Sequence, residues 1–284
     1  MQVWTVANQK GGVGKTTSAV TLGGYAAQAG KRVLLVDLDA QGSMSCYFGL
    51  KPQSLRQSSA ELMNHEGPIS RDLIKDIVVE LPYEGLSLLP SSPSLITLER
   101  TSQNKRGFGL ILGQVLSLLE EDFDLVLIDC PPALGVLMIN ALVASTRLII
   151  PVQAEFLSLQ GFARMQQTVD MVQHSLDTVI DRVVVPTMVD RRTQACQQTV
   201  RSLRNEFPVD LWPGHIPIDT KLRDASRLGV PANLYQPSAK GVRAYGALYR
   251  YLEQRISSQR SVSNEDELYA SADNATKAYW AEAV

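Results

Sequence analysis

The sequence predicts an α/β fold, a doubly wound and mostly parallel sheet with helices on both faces. Short apolar, β-branched runs alternate along the chain with longer helical stretches. Most of those runs are continuously apolar rather than alternating, as strands covered on both faces require. A glycine-rich loop and two acids, Asp37 and Asp129, fall where such strands end. Open parallel sheets bind their ligands at the carboxyl ends of the strands.

Strands are expected over 2–7, 32–37, 86–89, 124–129, 147–152, 182–188 and 211–216, and helices near 15–29, 109–121, 136–145, 159–175, 194–206 and 241–256. The first strand, Val3-Trp4-Thr5-Val6-Ala7, leads into the glycine loop and a helix starting near Lys15. The second, Leu34-Leu35-Val36, ends at Asp37. Leu125-Val126-Leu127-Ile128 ends at Asp129, where Pro131 and Pro132 stop the strand and stiffen the next loop. Residues 51–110 carry the least diagnostic patterns. Ile256 ends the last expected element, so one domain is expected over 1–256. Residues 257–284, rich in Ser, Ala, Asn and acidic side chains, read as a disordered tail.

Of the 284 residues, 45% are hydrophobic, ample for a buried core, and the net charge is only −2. Binding to nucleic acid or membrane must therefore come from a local patch. Cys46, Cys130 and Cys196 are far apart and form no metal-binding pair, which points to a reducing compartment. His65, His174 and His215 are equally scattered. The first strand leaves no room for a secretory segment, and no run approaches the about 20 apolar residues of a spanning helix. A soluble, cytoplasmic protein is expected.

Three motifs carry chemistry. Residues 10–17 read Lys-Gly-Gly-Val-Gly-Lys-Thr-Thr. Gly11, Gly12 and Gly14 let the backbone approach a ligand, and N–H groups of the loop through Val13, Lys15, Thr16 and Thr17 can cradle phosphate. Lys15 can reach β- and γ-phosphates, and the Thr16 hydroxyl can complete a Mg²⁺ shell. The loop departs from the ordinary phosphate-loop pattern, with Gln9 where glycine is usual and an additional lysine, Lys10. In the second motif, Asp37 is a candidate near the metal and Asp39 a candidate for holding the attacking water. In the third, Asp129 reaches Mg²⁺ directly or through water. Cys130 reads as a small packed residue.

With these motifs the chain resembles the deviant-Walker-A ATPases, the group of ParA, MinD and the nitrogenase iron protein. The resemblance implies a P-loop NTPase fold of the SIMIBI type, with ATP and Mg²⁺ as cofactors and slow, partner-stimulated hydrolysis. Lys10 matches the group's signature lysine, which reaches across a face-to-face homodimer to the partner's nucleotide. Ala40 stands where the group usually has proline. Segments 150–161, 186–193 and 216–225 look like the ParA (Soj-like) family, and the match covers about residues 2–256. By that resemblance Pro217 and Asp219 lie beside the adenosine, although asparagine is more usual at the latter position. Val3–Gln9, Arg191-Arg192-Thr193 and Leu222–Arg227 most resemble a ParA branch encoded in chemotaxis gene clusters, sometimes called ParC.

Residues 191–227 hold seven Lys or Arg against four Asp or Glu. Arg192 and Lys221 match basic DNA contacts of ParA, and Arg223 and Arg227 are additions from the same stretch. Such a patch could bind duplex non-specifically through phosphates alone; the plain alternative is a solvated face with salt bridges. The resemblance thus implies a nucleoid-associated switch, in some members polar, that positions a chemotaxis array or a DNA locus. A ParB-like or array adaptor protein would stimulate it. A MinD-like membrane ATPase needs a basic amphipathic C-terminal helix, and the acidic tail speaks against stable membrane association. An ATP-dependent amide synthetase is the remaining alternative.

Overall fold

Leu34 and Val36 face one hydrophobic layer, while Leu35 and Leu127 meet a helix on the opposite face. That side-to-side alternation within continuous apolar runs produces a sheet buried on both sides. The structure, a computed structural model, describes residues 1–65, 67–102, 107–176 and 179–256. Its strands are β1 (Gln2–Val6), β2 (Val33–Asp37), β3 (Val79–Glu80), β4 (Leu86–Leu89), β5 (Leu125–Asp129), β6 (Arg147–Gln153) and β7 (Asp181–Thr187). They form one sheet in the order β3-β4-β2-β5-β1-β6-β7, parallel except for β3 against β4.

Helix α1 (Lys15–Gln28) packs on β2 and β5. Then follow α2 (Ser43–Tyr47), α3 (Ser59–Met63), α4 (Arg71–Ile77), α5 (Ser94–Thr101), α6 (Ile111–Ser117), α7 (Val136–Val143), α8 (Phe156–Leu176), α9 (Gln194–Glu206), α10 (Thr220–Leu228) and α11 (Ala232–Tyr235). Side chains of α6, α7 and α8 join the strands in the larger core cluster. No helix among the described residues is long and apolar enough to cross a membrane.

The expected strand at 211–216 is corrected to two isolated bridges, Val184 with Leu211 and Val189 with Pro217. Pro213 and Pro217 lack the N–H that a ladder needs, and the Trp212 ring lies against Gly214. The expected helix at 109–121 shortens to α6, preceded by a 3₁₀ turn at Phe108–Leu110. The stretch 51–110 contains α3, α4, α5 and the short strand β3 as well as β4.

Residues 1–246 form one compact unit, and the described residues 247–256 belong to a second. In the second unit residues 247–256 are helical. The expected tail, 257–284, lies outside the described residues.

Candidate functional site

The carboxyl ends of β1, β2 and β5 meet at one level, because Val6 pairs in register with Asp129 and Asp129 with Asp37. After β1 the chain turns through Gly12 and Gly14, both at positive φ, 74° and 94°. Gly14 is the residue before α1, and no side chain caps that helix. The N–H groups of its first turn therefore point out without a side-chain acceptor, as an anion site requires. A Cβ at Gly11 or Gly12 would meet open space, so this side of the loop faces outward rather than against packed protein. Its far side is anchored where the Thr187 hydroxyl donates to the Val13 carbonyl at 2.9 Å.

Lys15 is buried and donates to the carbonyl of Lys10 at 3.2 Å. Burial lowers its pKa, and the neighbouring charge of Asp129 works against that. Thr16 donates to Asp129 Oδ2 at 2.6 Å. The other oxygen of that carboxylate, Oδ1, is buried with no hydrogen-bond partner. A buried carboxyl oxygen with no partner, beside the Thr16 hydroxyl, suits a hard cation. Among the described residues no group of three or more His, Cys, Asp or Glu could hold a metal by itself. A Mg²⁺ here would thus take part of its shell from phosphate oxygens.

Asp37 is fully buried, and both of its oxygens are engaged. Oδ2 accepts from the N–H and hydroxyl of Ser45 at 2.8 and 2.7 Å, and Oδ1 from the Asp39 N–H at 3.2 Å. Burial pushes its pKa up to about 6. Asp129 is pushed to about 8 by burial and then by the nearby Asp37 charge. Asp39 is half-buried at the mouth, with its own oxygen on the Gln41 N–H at 2.9 Å. Cys130 is buried, and burial raises its thiol pKa well above the ordinary value, which suits packing rather than nucleophilic attack.

Lys10 stands on the opposite rim. Its ammonium pairs with Glu155 and donates to Ser158 Oγ at 2.9 Å and Gln153 Oε1 at 3.4 Å, all on its own chain. Sequence reasoning assigned no role to Glu155 or Ser158, nor to Ser45, which holds Asp37. A carboxylate one residue before α8 was the only available signal for Glu155. Pro217 sits beside Val189, two residues past β7. Asp219 holds two helix starts: it accepts from Lys221 N at 2.9 Å and from Gly241 N at 2.7 Å. The basic residues are exposed, and two already have acidic neighbours: Arg192 grips Asp190 at 2.7 Å and Lys221 pairs with Asp224 at 3.0 Å. Arg223 and Arg227 also lie exposed on α10.

A family model described as AAA domain matches residues 1–182. The chain is 36% identical over 251 residues to the chromosome-partitioning ATPase Soj of Treponema pallidum, covering 87% of this chain and 95% of that one. The chain belongs to the ParA/Soj family of ATPases. Another member, the chromosome partitioning protein ParA of Myxococcus xanthus, is 35% identical and aligns over 88% of this chain and 87% of its own. Among solved structures, cobyrinic acid a,c-diamide synthase from Mycobacterium smegmatis, with bound ATP analogue and magnesium, superposes with a TM-score of 0.77. It is 31% identical, over 91% of this chain and 97% of that one. The family resemblance read from the motifs and the doubly wound P-loop fold are both borne out.

Proposed function

We propose that this chain is an ATP-hydrolysing switch that pairs with a second copy when ATP and Mg²⁺ are bound, holds DNA without reading its sequence, and positions cargo. The observation that carries this reading is the uncapped start of α1 with Lys15, Thr16 and Asp129 gathered at it. The N–H groups from Gly11 to Thr17 and the Lys15 ammonium would hold the phosphates, and Thr16 and Asp129 would hold Mg²⁺. Mg²⁺ when bound neutralises charge on the phosphate oxygens. Asp37 braces the loop that carries Asp39, and Asp39 orients the attacking water. Pro217 and Asp219 lie on the adenosine side. Lys10 leaves Glu155 for the phosphates of the partner's nucleotide. Phe156 and Leu157, next to Glu155, are 71% and 65% exposed and offer apolar surface to the second copy.

Arg192, Lys221, Arg223 and Arg227 supply the DNA face, doubled in the pair. Their acidic neighbours do not preclude this, because exposed ion pairs are worth only about 0–1 kcal/mol. The cargo is a chemotaxis array or a chromosomal or plasmid locus, and a ParB-like or array adaptor protein stimulates hydrolysis, all in a cytoplasmic, nucleoid-bound setting. The test is binding to random-sequence duplex with ATP, ADP or no nucleotide across a salt series. Binding that needs ATP and weakens with salt supports the reading, and no binding with ATP at low salt removes the DNA arm. The diamide-synthase likeness favours one second reading, ATP-dependent amide formation. Turnover that requires an added small acid and amine would establish it instead.

A further inference from the structure

The loop that follows Asp129 ends at Gly135, where α7 begins. Gly135 has no side chain to cap α7, and no cap comes from within the helix. The acceptor comes from elsewhere. Glu99, on α5, reaches over and accepts from the Leu137 N–H at 3.3 Å and from the Val136 N–H. A carboxylate at a helix start is also favoured by the helix dipole. The fit is close: a Cβ built on Gly135 would fall on the Glu99 carboxylate. The glycine and the glutamate thus share one space that two side chains cannot fill.

The same stretch of chain holds the other phosphate-side loop. Between β4 and α5, Ser91 donates its hydroxyl to the Asp39 carbonyl and its N–H to Ser45 Oγ at 3.0 Å. Ser45 in turn holds Asp37. Residues 91–99 therefore grip the loop after β2 at one end and the loop after β5 at the other.

We propose that Glu99 is a positioning residue for ATP hydrolysis: it tethers the loop of residues 130–135 to the segment that holds Asp39, so that the two loops respond to nucleotide together. The inference rests on the ATPase reading above. Glu99 acts through the start of α7. A carboxylate that was only a helix cap would affect stability and leave the ratio of turnover to binding alone.

The experiment compares full-length wild type with Glu99→Ala, Glu99→Gln, Gly135→Ala and the Glu99→Ala/Gly135→Ala double variant. Nucleotide affinity, kcat with Mg²⁺-ATP and random duplex DNA, and hydrogen exchange at Val136 and Leu137 are measured for each. Glu99→Ala is expected to bind ATP about as well as wild type while kcat falls roughly tenfold to a hundredfold, the range for a misplaced catalytic loop. Glu99→Gln, which keeps an acceptor, should recover most of the rate. Gly135→Ala should lose activity in the wild-type background and regain part of it in the double variant, where the carboxylate is gone. Wild-type kcat in Glu99→Ala, or a Gly135→Ala defect unchanged by removing Glu99, overturns the proposal. A wild type that failed to hydrolyse ATP would remove the functional reading instead. The exchange data then decide the tether alone, since Val136 and Leu137 must exchange faster in Glu99→Ala and unchanged rates overturn it.

Discussion

Asp37 and Asp129 lie side by side on neighbouring strands, buried, with pKa values pushed up to about 6 and about 8. Unfolded carboxylates titrate near about 4. The folded chain therefore holds these protons more tightly than the unfolded chain, and stability is lost as pH rises from about 4 through these folded values. The nucleotide-free protein should melt at a lower temperature at pH 8 than at pH 5, and Asp129→Asn should flatten that slope. Mg²⁺-nucleotide, which gives the carboxylate a cation, should also flatten it; a melting temperature that instead rose over this range would contradict the assignment. Lys15→Ala should abolish nucleotide binding, read by a fluorescent analogue. Asp39→Ala should keep binding and stop hydrolysis, and normal turnover in that variant would remove the water-holding role.

Elements decide how far such residues can be read in advance. β1, β2 and β5 were legible because each is a continuous apolar run that ends in a glycine loop or an acid. Asp37, Asp129, Lys15 and Thr16 came with them. Glu99 and Ser91 were not legible, since their partners lie far away in sequence and their own segment has no strong period. Family resemblance puts Asp219 beside the adenosine, and its carboxylate, which caps α10 and the helical residues starting at 240, has a structural task that no local pattern announces. The stretch 211–216 reads as a strand from its apolar residues, but Pro213 cannot donate to a ladder and only isolated bridges form. On α10 and the loop before α9 the expectation is electrostatic. Lys221→Ala should weaken DNA binding about equally for all sequences and reduce the salt slope by about 1, as should Arg192→Ala. Unchanged slopes in both variants would place the DNA face elsewhere.

At the scale of the whole molecule, the end of the sheet opposite the phosphate loop is built for stability. Arg147 at the start of β6 pairs with Asp181 at the start of β7 at 2.6 Å, both nearly sealed from water, and its guanidinium lies 5.5 Å from the centre of the Trp4 ring. Removing one partner of a buried pair costs about 3–5 kcal/mol. Asp181→Asn should lower denaturation midpoints by an amount of that order and leave ATP affinity in the surviving folded protein unchanged. A large loss of affinity without a loss of stability would contradict the division of labour between the two ends.

The hold of Glu155 on Lys10 has a consequence for discrimination. A carboxylate that occupies the lysine in the single protomer serves as a reference weight on a balance. In the proposed pair, whatever the second copy brings across the seam would have to outbid it. A triphosphate carries more negative charge than a diphosphate, so the balance can tip for one and stay level for the other. If the proposed ATP-dependent pairing holds, lightening the reference by Glu155→Gln should let ADP support pairing as well. Sedimentation of the variant with each nucleotide reads that selectivity directly.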